Sequence, residues 1–89
     1  MTDKKMYMEI VTPNKIIFKG NVLSATVPGS KSPFQILFNH APIVSSLDAG
    51  QIKFVDENNN EIKYNTGTGF VELDNNRISI LIEDAEIVE

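Results

Sequence analysis

Gly50-Gln51-Ile52-Lys53-Phe54-Val55-Asp56-Glu57-Asn58-Asn59-Asn60-Glu61-Ile62-Lys63-Tyr64 is the stretch whose reading decides the fold. Ile52 and Phe54 alternate with Gln51 and Lys53, and Ile62 and Tyr64 flank Lys63 on the return. A period of two puts one set of side chains on one face of an extended strand. The intervening Asp-Glu-Asn-Asn-Asn is turn chemistry, so the stretch predicts a β-hairpin with one buried face.

The same pattern extends in both directions. Met6, Met8 and Ile10 alternate with Tyr7 and Glu9, and Thr12-Pro13-Asn14-Lys15 breaks the run. Ile16-Ile17-Phe18 resumes it, with Gly20-Asn21 read as its end, and Leu23, Ala25 and Val27 form a further strand stopping at Pro28-Gly29. Phe34, Ile36 and Phe38 alternate next, and the apolar Leu37 suggests cover on both faces. Ile43-Val44 and Leu47 make a short run before Asp48-Ala49-Gly50. Beyond the hairpin, Gly67-Thr68-Gly69 bends the chain, Phe70, Val71 and Leu73 follow, and Asp74-Asn75-Asn76 turns into Ile78, Ile80 and Ile82. The tail, Glu83 to Glu89, reads as short and acidic. Turns recur every 8–12 residues or so, and no window has a helical period; this predicts an all-β antiparallel sandwich or flattened barrel of about eight to ten short strands.

Bulk properties narrow the function. With 89 residues the chain forms one domain, read as residues 1–89. A chain this size buries roughly 60% of its unfolded surface, enough for one core but not for a deep catalytic cavity as well. The net charge of −4 argues against a nucleic-acid partner. Without cysteine there is neither a disulfide nor a thiolate metal site. No run of about 18 apolar residues crosses a membrane, and Met1-Thr2-Asp3-Lys4-Lys5 leads into alternation rather than into the apolar core of an export signal.

Candidate chemistry is sparse. His40, the only histidine, has Ser45, Ser46 and Asp48 nearby in sequence, but alternation along a strand sends neighbours to opposite faces. It is read as a corner residue bonding the backbone. Asp56, Asn58 and Asn60 open like a calcium loop, yet Glu61 stands where that loop needs glycine and Gly67 where it needs a bidentate glutamate. Gly67-Thr68-Gly69 lacks the third glycine of a dinucleotide fingerprint, since Glu72 occupies it, and reads as a bulge or a close backbone approach. No metal or cofactor is expected. The residues alone describe a small acidic β-sandwich that works as an interaction module.

The ordered set of motifs is more specific. Met8-Glu9-Ile10-Val11-Thr12-Pro13-Asn14-Lys15-Ile16-Ile17-Phe18-Lys19-Gly20, Ala25-Thr26-Val27-Pro28-Gly29, Phe34-Gln35-Ile36-Leu37 with Asn39-His40-Ala41-Pro42, Gly69-Phe70-Val71-Glu72-Leu73, Asn76-Arg77-Ile78-Ser79-Ile80-Leu81 and Asp84-Ala85-Glu86 follow one another. Together they resemble the N-terminal β-domain of the epsilon subunit of bacterial and chloroplast F-type ATP synthases. The resemblance covers residues 6 to about 86.

The resemblance implies a non-catalytic rotor subunit of the central stalk. Such a subunit binds gamma and the c ring, meets the alpha/beta hexamer through the complex, and couples proton or sodium flow to ATP synthesis. It implies a peripheral position on the cytoplasmic face of the bacterial membrane. It also implies a c-ring contact at Gly29, Ser30, Lys31, Ser32 and Pro33, and a gamma contact at His40, Ala41, Pro42, Ile43 and Val44. On this reading Ile43→Asp weakens gamma binding. Three departures stand out: Asn39 replaces the glycine usual before the histidine, Gln35 replaces a common glycine, and Gly67-Thr68 stands where a glycine pair is frequent. Asparagine tolerates positive φ, so the corner is expected to survive. The family's C-terminal helical hairpin has no counterpart before Glu89, which suggests a short natural subunit that couples but does not inhibit by extending that hairpin. The rival reading, a carbohydrate- or peptide-binding module, calls for exposed aromatics, yet the chain has no Trp and only Tyr7 and Tyr64 as tyrosines.

Overall fold

Alternation of buried and less buried side chains builds most of the molecule. The structure, a computed structural model, describes residues 4–89; the Met1-Thr2-Asp3 part of the reading of the N-terminus lies outside them. Nine strands follow in order: β1 (Met6–Val11), β2 (Ile16–Val27), β3 (Phe34–Leu37), β4 (Ile43–Leu47), β5 (Gly50–Asp56), β6 (Glu61–Thr66), β7 (Gly69–Asp74), β8 (Arg77–Ile82) and β9 (Ala85–Ile87). No helix occurs among the described residues. The strands join in the order β4-β7-β8-β1-β2-β5-β6-β9, with β3 also on β2. The path does not close into a barrel.

β2 is the element both halves share. The reading that ended a strand at Gly20-Asn21 is corrected: one strand of twelve residues runs through them, with Gly20 opposite Met8 and Asn21 opposite Tyr7. Glycine breaks a strand only where the backbone must turn, and here it stays extended under the Phe18 ring. The bend comes at Leu23, where the register on β5 slips between Val22 and Ser24. A bulge of this kind kinks a strand and raises its twist. Val22 pairs with both β1 and β5, and Ser24 with both β3 and β5. β1 and β3 therefore occupy the same edge of β2 in tandem, one in each half.

A second correction concerns direction. β1 lies antiparallel to β2 but parallel to β8, with Met8 opposite Ile78 and Ile10 opposite Ile80. Parallel neighbours need a long connection, and here nearly the whole chain supplies it. A third concerns the tail: Ala85–Ile87 is a strand, pairing with Tyr64, Asn65 and Thr66 of β6.

The inward faces of both halves meet in one apolar cluster. Met6, Met8 and Ile10, Val71 and Leu73, and Ile78, Ile80 and Ile82 come from one half, and Ile52 and Phe54 from the other. Phe54 packs against Phe18 at 4.6 Å between ring centres. Burying each such side chain stabilises the fold by about 1.5–3 kcal/mol. The shortest dimension, 21 Å, fits two sheets about 10 Å apart with their outer side chains. Leu37 departs from its expected double cover, since it faces solvent and is half exposed.

Asparagine, not glycine, holds the left-handed positions. Asn39, Asn59, Asn75 and Asn76 have φ between 53° and 67°, and no described glycine has positive φ. Asn75 and Asn76 form a two-residue turn between Asp74 and Arg77, where positive φ at both matches the twist of the flanking strands. Gly69 is needed for a different reason: a Cβ there would collide with the Leu81 carbonyl oxygen on β8.

Candidate functional site: an apolar outer face and the two ends of β4

β4 organises the surface. Its outward residues are Val44 and Ser46, while Leu47 points into the core. Beside it, β7 presents Phe70, Glu72 and Asp74, β8 presents Arg77, Ser79 and Leu81, and β1 presents Tyr7, Glu9 and Val11. Registers align these residues in rows across the strands. Ser46, Phe70, Leu81 and Val11 make one row; Val44, Glu72, Ser79 and Glu9 the next; Asp74, Arg77 and Tyr7 the third. Val44 is 74% exposed, Phe70 60% and Leu81 50%. Large apolar side chains set side by side on an outer face mark an interaction surface. Two shallow grooves cross it, both lined by Phe70 and Leu81: one of about 360 Å³ reaches Glu9, Val11, Val44 and Glu72, and one of about 490 Å³ reaches Pro13, Ser46 and Thr68. In the third row the Arg77 guanidinium lies 4.9 Å above the Tyr7 ring.

The two predicted contact sets enter β4 from its two ends but adjoin along it, since Ser30, Lys31 and Ser32 line one groove with Ile43 and Val44. The loop from Gly29 to Pro33 lies beside Leu47. The Ser30 N–H donates to the Ser46 carbonyl at 3.0 Å, the Asp48 N–H donates to the Pro28 carbonyl at 2.8 Å, and the Ser46 hydroxyl donates to the Ser30 hydroxyl at 2.9 Å. These bonds, with the isolated bridge between Gly29 and Leu47, fasten the loop to the strand. Ser30, Lys31, Ser32 and Pro33 are exposed. Gly29 is buried, and a Cβ there would come within 2.6 Å of the Ser32 carbonyl oxygen and 2.8 Å of the Phe34 ring. It shapes the loop rather than presenting a surface.

At the other end, Asn39 takes the left-handed conformation expected of it, with φ 65°. Its backbone N–H donates to the Asn76 side-chain oxygen at 2.7 Å, and the Asn76 amide donates back to the Asn39 side-chain oxygen at 3.0 Å. The corner is thereby tied to the β7–β8 turn. The His40 ring lies 2.8 Å from the Ala41 carbonyl and bonds neither serine hydroxyl. No nucleophile and base meet here. Ala41, Pro42 and Val44 are exposed, His40 is half-buried, and Ile43 is half-buried and packed against the core. Ile43→Asp would therefore perturb folding before it tested a contact.

The sequence reading missed Phe70, Leu81 and Val11 as surface residues. A signal was present: in Phe70-Val71 and Ile80-Leu81-Ile82 the alternation fails, so each run must place an apolar residue outside. Elsewhere, the Asp56 carboxylate accepts the backbone N–H groups of Asn58 and Asn60, both at 2.9 Å, so it shapes the β5–β6 hairpin tip. Glu83 accepts the Thr68 hydroxyl at 2.6 Å and the Thr68 N–H at 3.1 Å, bonds that hold its carboxyl below the usual carboxylate range. Among the described residues no group of three or more His, Asp or Glu side chains is arranged to hold a metal ion.

The chain matches the family model described as "ATP synthase, Delta/Epsilon chain, beta-sandwich domain" over residues 5–88. The chain belongs to this family. Curated relatives agree. An ATP synthase epsilon chain of Chlorobium limicola is 35% identical over 83 residues, covering 93% of this chain and 94% of that one. One of Leptospira interrogans serovar Lai is 38% identical over 89 residues, the whole of this chain and 69% of the other. Chains of the same fold occur in solved assemblies. A chain in the Euglena gracilis mitochondrial ATP synthase OSCP/F1/c-ring structure superposes with a TM-score of 0.89 at 16% identity, over 98% of this chain and 56% of that chain. One in the Tetrahymena thermophila mitochondrial ATP synthase central stalk/c-ring structure gives 0.77 at 18% identity, over 97% and 69%.

Proposed function

We propose that this delta/epsilon sandwich is a non-catalytic central-stalk subunit of an F-type ATP synthase, seated on gamma and on the c ring and turning with both. The observation that carries the reading is the exposed apolar face of β4, β7, β8 and β1, joined to membership of a family whose curated members are epsilon chains. A subunit that couples rotation needs an apolar, well-packed seat on one partner and a stiff body to carry force to the other. Val44, Phe70, Leu81 and Val11 provide that seat for gamma, with Ala41 and Pro42 at its edge.

Ser30, Lys31, Ser32 and Pro33 face the polar loops of the c ring from the far end of β4. Ser30 lines one groove with Phe70 and Leu81, and Ser30, Lys31 and Ser32 line another with Ile43 and Val44. The two seats therefore adjoin, and the Ser30–Ser46 bonds join them mechanically. The place of work is the cytoplasmic side of the bacterial membrane, reached through the complex.

The test is co-purification of the tagged chain from native membranes in mild detergent. Recovery together with alpha, beta, gamma and c subunits supports the reading. Recovery of the chain alone, or with unrelated proteins, overturns it.

A further inference from the structure

The middle row of the apolar face is acidic. Glu72 on β7 stands opposite Val44 on one side and Ser79 on the other, and Ser79 stands opposite Glu9 on β1. Two strand spacings separate the backbones of Glu72 and Glu9, about 10 Å, and only the short Ser79 side chain lies between them. Glu72 pairs with no cation among the described residues, while Glu9 has Lys19 at a loose 3.9 Å. Arg77, the cation on the neighbouring row, is placed over Tyr7 and opposite Asp74.

Any surface that seals Val44 and Phe70 from water also covers Glu72, because Val44 is its cross-strand neighbour and Phe70 lies next on the same face of β7. A carboxylate taken out of water without a partner is strongly penalised. The occupant must therefore bring a positive donor to this spot. The groove over Ser79 suits one kind of side chain. Its walls at Phe70, Leu81 and Val11 are apolar, and Glu9 and Glu72 line it as well. A long aliphatic stem lies along such walls while its charged head reaches the carboxylates.

We propose that gamma seats a lysine or arginine in this groove, its stem against Phe70 and Leu81 and its cation between Glu72 and Glu9. The proposal rests on the gamma-docking reading given above. It makes the face selective as well as adhesive, since an apolar surface without a matching cation would leave Glu72 buried and unpaired.

The test measures gamma affinity by calorimetry for Glu72→Lys, Glu72→Gln and Phe70→Ala, at low and at high NaCl. Circular dichroism melting establishes that each variant folds. Charge reversal is expected to weaken binding at least about 30-fold, and Glu72→Gln about tenfold with a flatter dependence on salt. Wild-type affinity in Glu72→Lys, or an unchanged salt dependence in Glu72→Gln, overturns the proposal. If Phe70→Ala alone weakens binding, the cation pairing is wrong while the docking face stands. If Phe70→Ala and Glu72→Lys both bind as wild type, gamma does not dock on this face and both readings fail.

Discussion

The two outer faces of the sandwich are built from the same alternation and end up chemically opposite. On the face of β5 and β6, Lys53 and Lys63 stand opposite each other and share Glu61, at 4.0 and 3.8 Å, with Thr26 opposite Lys53 on β2 and Asn65 two residues beyond Lys63 on β6. On the face of β4, β7, β8 and β1, the corresponding outward positions include Val44, Phe70, Leu81 and Val11. Inward residues differ little between the halves; both supply Ile, Val and a large side chain to one core. Core composition thus says nothing about which face works. What separates them is the outward set: the face of β5 and β6 carries the exposed Leu37 only at its edge, whereas the face of β4, β7, β8 and β1 sets Val44, Phe70 and Leu81 together.

Adjacent residues on β8 give the sharpest way to break this comparison. Ile80→Ala empties a fully packed site and should cost about 2–5 kcal/mol in urea unfolding. Leu81→Ala, one residue on, should leave stability within about 0.5 kcal/mol, because its side chain faces out. Equal destabilisation by the two would mean that Leu81 is structural. For binding, the order reverses. Phe70→Ala should cost about 2 kcal/mol of gamma affinity in a pull-down titration, as an aromatic at the centre of a contact does, with its melting curve unmoved.

Smaller effects are expected on the other face. Lys63→Ala should change stability by no more than about 0.5 kcal/mol, since exposed ion pairs contribute little, and should leave gamma binding unchanged. The smallest effect concerns Glu83. Its carboxyl is held below the ordinary range by the Thr68 hydroxyl first and the Thr68 N–H second. A depressed folded-state pKa stabilises above the unfolded value and loses that contribution as pH falls through the folded one. Thr68→Val should raise the Glu83 titration midpoint toward the usual value in an NMR pH series, and an unmoved midpoint would assign the shift elsewhere.

Much of the fold was legible because its strands alternate cleanly. β1, β5 and β8 read directly from Met6-Met8-Ile10, Ile52-Phe54 and Ile78-Ile80-Ile82. β2 was split in two because Gly20-Asn21 carries turn chemistry, and only its pairing with β1 reveals an extended backbone. The parallel pairing of β1 and β8 leaves no local mark, since register between distant strands is a tertiary choice. β9 was hidden by its acidic composition. The site was half legible. The resemblance put forward His40, Ala41, Pro42, Ile43 and Val44 together, and of these Val44 is the exposed large apolar residue on the face of β4, β7, β8 and β1. Phe70 and Leu81 were legible only as residues on the face opposite Val71, Ile80 and Ile82; whether a partner covers that face leaves no local mark.

Hydroxyl-radical footprinting of the chain, free and bound to gamma, tests the central claim most directly. Protection concentrated on Phe70, Leu81 and Val44, with Lys53 and Lys63 unchanged, is the predicted result. Protection of the β5–β6 face with Phe70 and Leu81 still reactive would contradict it.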